Sequence, residues 1–371
     1  MTANTGLEGV VACSSAISSI IDGVLTYRGI NIDELAERAT FEEVVFLLWN
    51  GRLPKRDELE TLKRELVENG SIPDEIVTLL KSLPIRTTHP MATLRTTVSA
   101  LAAFDPEAED NSEAANRRKA LRLLAKVGTL VAAISRVREG KEPLMPQPGL
   151  SFAENFLYML KGQKPEPVAA EAFDKALILH ADHELNASTF AARVTVATLA
   201  DIYAGVTAAI ATLKGPLHGG ANERVMAMLE EIGDVDRVES YLDDKLAKKE
   251  KIMGFGHRVY KNGDPRAKHL QKMAEKLSAL TGNERYYQMS VKLERLMLEK
   301  KGLKPNVDFY SATVYHCLGI PRDLFTPIFA VSRTSGWTAH ILEQYANNRL
   351  IRPRAEYVGP QNVRYVPIDQ R

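Results

Sequence analysis

Along most of this 371-residue chain, apolar side chains return every three or four positions, the spacing of one face of an α-helix. Thr40-Phe41-Glu42-Glu43 fits a capping box that opens a helix through Leu48, and Pro54 marks the break after it. Pro73 begins another short helix after Ser71. Residues 112–139 read as one long amphipathic helix stopped at Gly140. From Pro167 to Leu213 the chain is apolar nearly all round, which predicts helices buried on several sides. Val225, Met228, Leu229 and Ile232 occupy i, i+3, i+4 and i+7 of a helix ended by Gly233. Thr326-Pro327 supplies an N-cap and first-turn pair for a helix reaching about Asn347. Strand signals are confined to the first thirty residues, where Val24-Leu25-Thr26-Tyr27 follows an Asp22-Gly23 turn. The fold class expected is mainly α with a small N-terminal β-hairpin. Residues 220–325 concentrate Lys/Glu-rich surface helices and glycine-punctuated loops. They read as a small inserted helical domain, with 1–219 and 326–371 forming the large one.

Composition narrows the partners. The chain is 45% hydrophobic and 26% charged, ordinary for a soluble globular protein. Its 48 basic and 47 acidic residues leave a net charge of +1, so no whole-molecule field points to nucleic acid or membrane. An anionic ligand has to be met by a local patch. Cys13 and Cys317 are too few for a disulfide framework and fit a reducing cytoplasm, the expected location. The N-terminus has neither a basic region nor an apolar core of a signal peptide, and no apolar run approaches the ~20 residues of a spanning helix.

Titratable chemistry concentrates in a few glycine-punctuated segments. His218 in LKGPLHGGANE precedes the helix carrying Val225, where the positive end of the helix dipole disfavours the protonated ring. A neutral imidazole there can donate to an oxygen gaining charge, although a single HGG also fits a histidine capping a tight turn. His257 lies in GFGHRVYKNGDPR, whose Gly-x-Gly follows no strand and lacks a third glycine, so it is no dinucleotide fingerprint. Around it Lys248, Lys249, Lys251, Arg258, Lys261, Arg266 and Lys268 face few acids, which fits either a solvated face or an anion site. Asp308 in NVDFYS is flanked by apolar and aromatic residues and reads as a helix N-cap or as a desolvated proton acceptor. In HADHE, His180 and His183 are three apart, whereas the zinc hydrolase signature requires four. His180 reads as a packed core residue and His183 as a ligand donor. Arg333 and Arg352 are candidate bidentate carboxylate clamps.

Taken in order, IDGVLTYRGI, HADHELNAS, GPLHGGAN, GFGHRVYKNGDPR, NVDFYS and SRTSGW…IRPR closely resemble the citrate synthase family over almost the whole chain. The resemblance implies an all-helical two-domain homodimer that closes over acetyl-CoA and oxaloacetate and forms citrate and CoA. It implies Asp308 as the base that removes a methyl proton of acetyl-CoA, His218 as the residue stabilising the enol oxygen, and His257 as the one activating the oxaloacetate carbonyl. His183, His257, Arg266 and Arg333 then bind oxaloacetate, joined by Arg352 reaching over from the other subunit. Lys261, and more weakly Arg258, match CoA contacts. No metal and no cofactor are implied, the CoA thioester being a substrate. HADHELNAS lacks the double glycine of the mitochondrial branch, which points to the bacterial or archaeal type. The chain begins almost at the hairpin, so the regulation and assembly of the NADH-inhibited hexameric branch are not expected.

Three alternatives stay open at this level. 2-Methylcitrate synthase, acting on propionyl-CoA, shares these residues. A metal-dependent hydrolase built on HADHE is disfavoured by ligand spacing. A non-catalytic helical scaffold has no need of His218, His257 and Asp308 together.

Overall fold

The computed structural model of the protein describes residues 5–7, 9–257 and 259–371, and among them sixteen α-helices stand against one small sheet. Strands β1 (Ser18–Ile21) and β2 (Val24–Tyr27) form the expected hairpin, with Ser18 opposite Tyr27. The sheet has a third antiparallel strand, β3 (Ile30–Asn31), which the sequence reading missed. Arg28 and Gly29 both take left-handed backbone (φ 50 and 84) and turn the chain back so that Tyr27 pairs with Ile30.

Helix α1 (Ile32–Arg38) follows at once, capped by the Asn31 side chain. Helix α2 (Phe41–Asn50) opens on the predicted capping box, Thr40 and Glu43 bonding reciprocally, and ends on left-handed Gly51. Then come α3 (Arg56–Glu68), α4 (Asp74–Ser82), α5 (Pro90–Leu101), α6 (Glu113–Arg138) and α7 (Phe152–Lys161). The long α6 is amphipathic only in its first half. From Leu123 to Ser135 nearly every residue is buried, because this stretch runs between α5, α7 and the C-terminal helix. The apolar stretch after Pro167 becomes α8 (Pro167–His180), α9 (Ala187–Val196) and α10 (Ile202–Leu213).

Five helices follow: α11 (Ala221–Ile232), α12 (Val238–Ala247), α13 (Ala267–Thr281), α14 (Glu284–Lys301) and α15 (Val307–Cys317). The stripe Val225, Met228, Leu229 and Ile232 is buried as its spacing requires. These helices pack chiefly on one another, with α13 and α15 also resting on α8. The last helix, α16 (Phe325–Ala346), is buried along most of its length against α6, α9 and α2. It begins one residue before Thr326, which is not its cap. A 3-10 turn, Arg322–Leu324, leads straight into it, and the Thr326 N–H and hydroxyl both donate to Glu223 of α11.

Candidate active site

Six side chains singled out in the sequence, His183, His218, His257, Arg266, Asp308 and Arg333, line one cavity of about 640 Å³. They come from five separate stretches of chain, and local features explain how each arrives there.

His218 sits in the loop between α10 and α11. Gly219 after it has no room for a side chain, since a Cβ would lie 2.0 Å from the Leu213 carbonyl oxygen at the end of α10. The His218 Nε2 accepts the backbone N–H of Ser188 at 3.2 Å and lies 2.8 Å from the Ser188 hydroxyl. A backbone N–H can only donate, so the proton of the neutral ring is on Nδ1. Burial, and then the charge of Arg333, pull the His218 pKa down to about 4. Ser188 is itself held by the Trp337 indole N–H at 3.1 Å and by Asn186 at 2.8 Å.

His257 is fixed by the opposite nitrogen. Its Nδ1 accepts the backbone N–H groups of Val259 and Tyr260 at 3.0 and 3.2 Å, which leaves the proton on Nε2. Its ring centroid is 5.2 Å from that of His183, whose Nε2 lies 3.0 Å from the Tyr260 hydroxyl. Burial, followed by the charge of Arg266, lowers the pKa of both histidines.

Asp308 is brought to the same wall by backbone pairing between two loops. Gly256 N–H donates to Lys304 O at 3.0 Å and Asn306 N–H to Gly254 O at 2.9 Å, so the His257 loop and the start of α15 are stitched together. Asp308 is not the N-cap that one reading of NVDFYS allowed. Asn306 is, accepting the Asp308 N–H at 3.1 Å, which leaves the Asp308 carboxylate at the cavity. Burial pushes its pKa up to about 6, despite the opposing pull of Arg266 and Arg333.

Two guanidiniums complete the cavity wall. Arg266, 3% exposed, is held in a two-point pair with Asp264 at 2.9 and 2.8 Å. Arg333, 2% exposed, donates from Nε to His180 O at 2.7 Å and lies 4.6 Å from the Phe329 ring centroid. Burial lowers its pKa to about 10, so anionic groups entering the cavity would meet two desolvated cations.

The remaining candidates lie elsewhere. Arg352 is exposed on the extended segment after α16 and does not line its own chain's cavity. Lys261 is exposed and also outside the cavity lining, and Arg258 falls outside the described residues. The basic run is better neutralised than its sequence suggests, by two nearby acids and one brought in by the fold. Lys248 pairs with Asp244 at 2.8 Å and Lys268 with Asp33 at 2.7 Å, besides the Arg266–Asp264 pair. His180 is a packed core residue as read, fully buried against Phe329, with Nδ1 donating to Ala176 O at 2.6 Å. It ends α8, whereas His183 lies beyond the helix and faces the cavity, so HADHE offers no shared ligand face. Among the described residues no three His, Cys, Asp or Glu side chains gather as a metal site requires.

Three supporting residues escaped the sequence reading. Ser188 stood in HELNAS with no visible reason to touch His218, 30 residues away. Asp264 read only as part of an Asn-Gly-Asp-Pro turn, yet it holds Arg266 and accepts the Val307 N–H at 3.0 Å, which orients the start of α15. Tyr260, two residues beyond the basic Arg258, carried no signal at all.

An almost all-helical protein with a carboxylate, neutral imidazoles and two buried guanidiniums around one cavity is an enzyme for acid–base chemistry on an anionic substrate. The family model described as citrate synthase, C-terminal domain, matches residues 6–354. The chain belongs to the citrate synthase family. It is 62% identical over 371 residues to citrate synthase 2 of Bacillus subtilis, covering 100% of both chains. A second Bacillus subtilis protein, named citrate/2-methylcitrate synthase, is 47% identical over 96% of each chain. Among solved structures, the ternary complex of carboxymethyl coenzyme A and oxaloacetate with citrate synthase from Thermoplasma acidophilum is 38% identical. Its TM-score is 0.92, with 98% of each chain covered.

Proposed function

We propose that the chain condenses acetyl-CoA with oxaloacetate and water to give citrate and free CoA, with Asp308, His218 and His257 as its acid–base groups. The observation that carries this reading is their meeting in one cavity with Arg266 and Arg333. Asp308 takes a proton from the acetyl methyl group, a role suited to a carboxylate whose pKa burial has pushed up to about 6. A thioester α-proton is far less acidic than that, so a free enolate is out of reach. The Nδ1–H of neutral His218 donates to the thioester oxygen as charge builds there, and each 1.36 kcal/mol so recovered is tenfold in rate. The Nε2–H of His257 polarises the oxaloacetate carbonyl and protonates it as the carbon–carbon bond forms. His183, Arg266 and Arg333 bind the substrate carboxylates. Citryl-CoA is then hydrolysed.

The cavity draws His183, His218 and Arg333 from residues 1–219 and 326–371, and His257, Arg266 and Asp308 from 220–325. That division supports a large and a small domain closing on oxaloacetate before acetyl-CoA binds, which excludes water from the thioester. Arg352 serves the partner's cavity in a homodimer. Supporting this, the segment carrying it exposes Tyr357, Val358 and Tyr365, at 68%, 90% and 81%, a surface suited to a second subunit. Lys261 meets a CoA phosphate. No cofactor beyond the CoA thioester is required. Two unbridged cysteines, Cys13 and Cys317, support a cytoplasmic location.

Release of CoA thiol by the purified protein tests the reading. Oxaloacetate-dependent release with a kcat/KM preference for acetyl-CoA is expected, and Asp308→Gly should abolish it while oxaloacetate still binds. A preference for propionyl-CoA would make 2-methylcitrate the product, since one methylene alters binding by only ~1–3 kcal/mol. Oxaloacetate-independent behaviour with both thioesters would overturn the catalytic reading.

A further inference from the structure

Outside the cavity lining, a buried polar chain ends at the residue next to His183. Asp182 is fully buried, and its carboxylate meets two elements, β1 and α16. The Ser18 hydroxyl of β1 donates to Oδ2, and that same hydroxyl accepts the Glu184 N–H at 2.9 Å. From α16, the His340 Nε2 lies 3.2 and 3.3 Å from the two Asp182 oxygens. Gly336, one turn earlier on α16, lets the helix approach. A Cβ there would lie 2.4 Å from Asp182 Oδ1 and 2.3 Å from Ala181 O.

The orientation of His340 is set from its other nitrogen. Arg193 of α9 donates from Nε and Nη2 to His340 Nδ1 at 3.1 and 3.0 Å, and a guanidinium has no lone pair to accept with. The proton of neutral His340 is therefore on Nε2, aimed at Asp182. Arg193 is 2% exposed and is held in turn by Glu343 and by Gln344 Oε1, the latter at 3.0 Å. Glu343 also accepts the Ala16 N–H at 2.8 Å, which closes the chain back on the residues before β1.

We propose that Arg193, His340 and Asp182 form a buried positioning relay that holds the 181–184 loop, and with it His183, in the oxaloacetate-binding geometry. None of the three lines the cavity, so they act through His183 and are positioning residues. The inference rests on the reading of His183 as an oxaloacetate ligand. Removing the relay frees the loop carrying one substrate's ligand, while Asp308 keeps its own support from Asn306 and His218 keeps the Trp337–Ser188 contact.

The test uses His340→Leu, His340→Gln, Ser18→Ala and, as a reference, His183→Ala in the full-length protein. His340→Leu should raise the KM for oxaloacetate about tenfold or more, the scale on which outer-sphere supports act. The KM for acetyl-CoA at saturating oxaloacetate should stay within about twofold. His340→Gln should recover most of the loss, because its amide can donate to Asp182 and accept from Arg193. Ser18→Ala removes the second partner of Asp182 with little change of volume and should act in the same direction, which covers the case of an unfolded His340→Leu. Equal changes in both KM values, or a lowered melting temperature with unchanged kinetics, would overturn the relay. If His183→Ala leaves the oxaloacetate KM untouched, the ligand reading beneath it fails instead.

Discussion

Asp308 and His218 work at the same pH because burial acts on them in opposite senses. Desolvation disfavours whichever form is charged, so the carboxylate rises to about 6 and the imidazole falls to about 4. Above pH 6 the pair is therefore an ionised base facing a neutral donor, the combination enolisation needs. As pH falls through 6, Asp308 takes up a proton and the base is lost, while His218 remains neutral until near 4. The expected outcome is a kcat/KM, which reports groups of the free enzyme, that drops towards tenfold per unit below about pH 6. Initial rates from pH 8 down to pH 5 measure it, and a profile flat across that range would remove Asp308 from the role of base. The identity of these groups was legible in the motifs. Their protonation was not, because it depends on Ser188 for His218 and on the backbone of residues 259 and 260 for His257.

Between elements, helix ends are where polar groups are buried at a cost. At the start of α2, Glu42 is buried with its Oε1 accepting the Phe152 N–H at 2.8 Å, and Asp174 of α8 accepts the Phe41 N–H at 3.2 Å. Burial first, and then mutual repulsion, raise the pKa of the Asp174 carboxyl, and Glu42 is raised by burial as well. A carboxyl whose pKa is raised on folding stabilises the fold less as pH climbs past the ordinary carboxylate range of ~4. Asp174→Asn keeps the acceptor for Phe41 and removes the charge. We expect it to raise the melting temperature by about 2 °C or more at pH 8, with a smaller gain at pH 5. Calorimetry at the two pH values decides, since a gain independent of pH would mean that the charge is not the cause. Several helices could be read in advance. The capping box at Thr40, the stop at Gly140 and the Val225 stripe are relations within four or five residues. The start of α16 could not, since the Thr326 hydroxyl is claimed by Glu223, 103 residues away.

At the scale of the whole molecule, the chain's own cavity lacks Arg352, and the proposed dimer supplies it. That arrangement makes a sharp prediction about mixed subunits. Arg352→Ala and Asp308→Asn homodimers should each be nearly inactive. In a heterodimer of the two, one site combines an intact Asp308 with an intact Arg352 from its partner, and the other site has neither. An equal mixture, dissociated and randomly reassociated, holds half heterodimers with one competent site in two, so about a quarter of wild-type activity should return. No recovery above the separate variants would mean that Arg352 serves its own subunit or none.

By itself the sequence determined the mainly helical class, the positions of several helices, and the six cavity residues along with Arg352 as candidates. It could do so because periodicity, caps and glycine-marked segments are local patterns, written within a turn or two of chain. The tertiary structure alone decided which nitrogen of each histidine carries the proton, and that Asp264 rather than substrate alone orients Arg266. It also decided that Asp182, His340 and Arg193 stand behind His183. The Ser188–His218 and Asp182–His340–Arg193 contacts join residues far apart in the chain. Even the short-range ones, Asp264 with Arg266 and His257 with the backbone of 259 and 260, depend on the folded path of one loop. No spacing along a sequence records which groups folding will bring within hydrogen-bond reach.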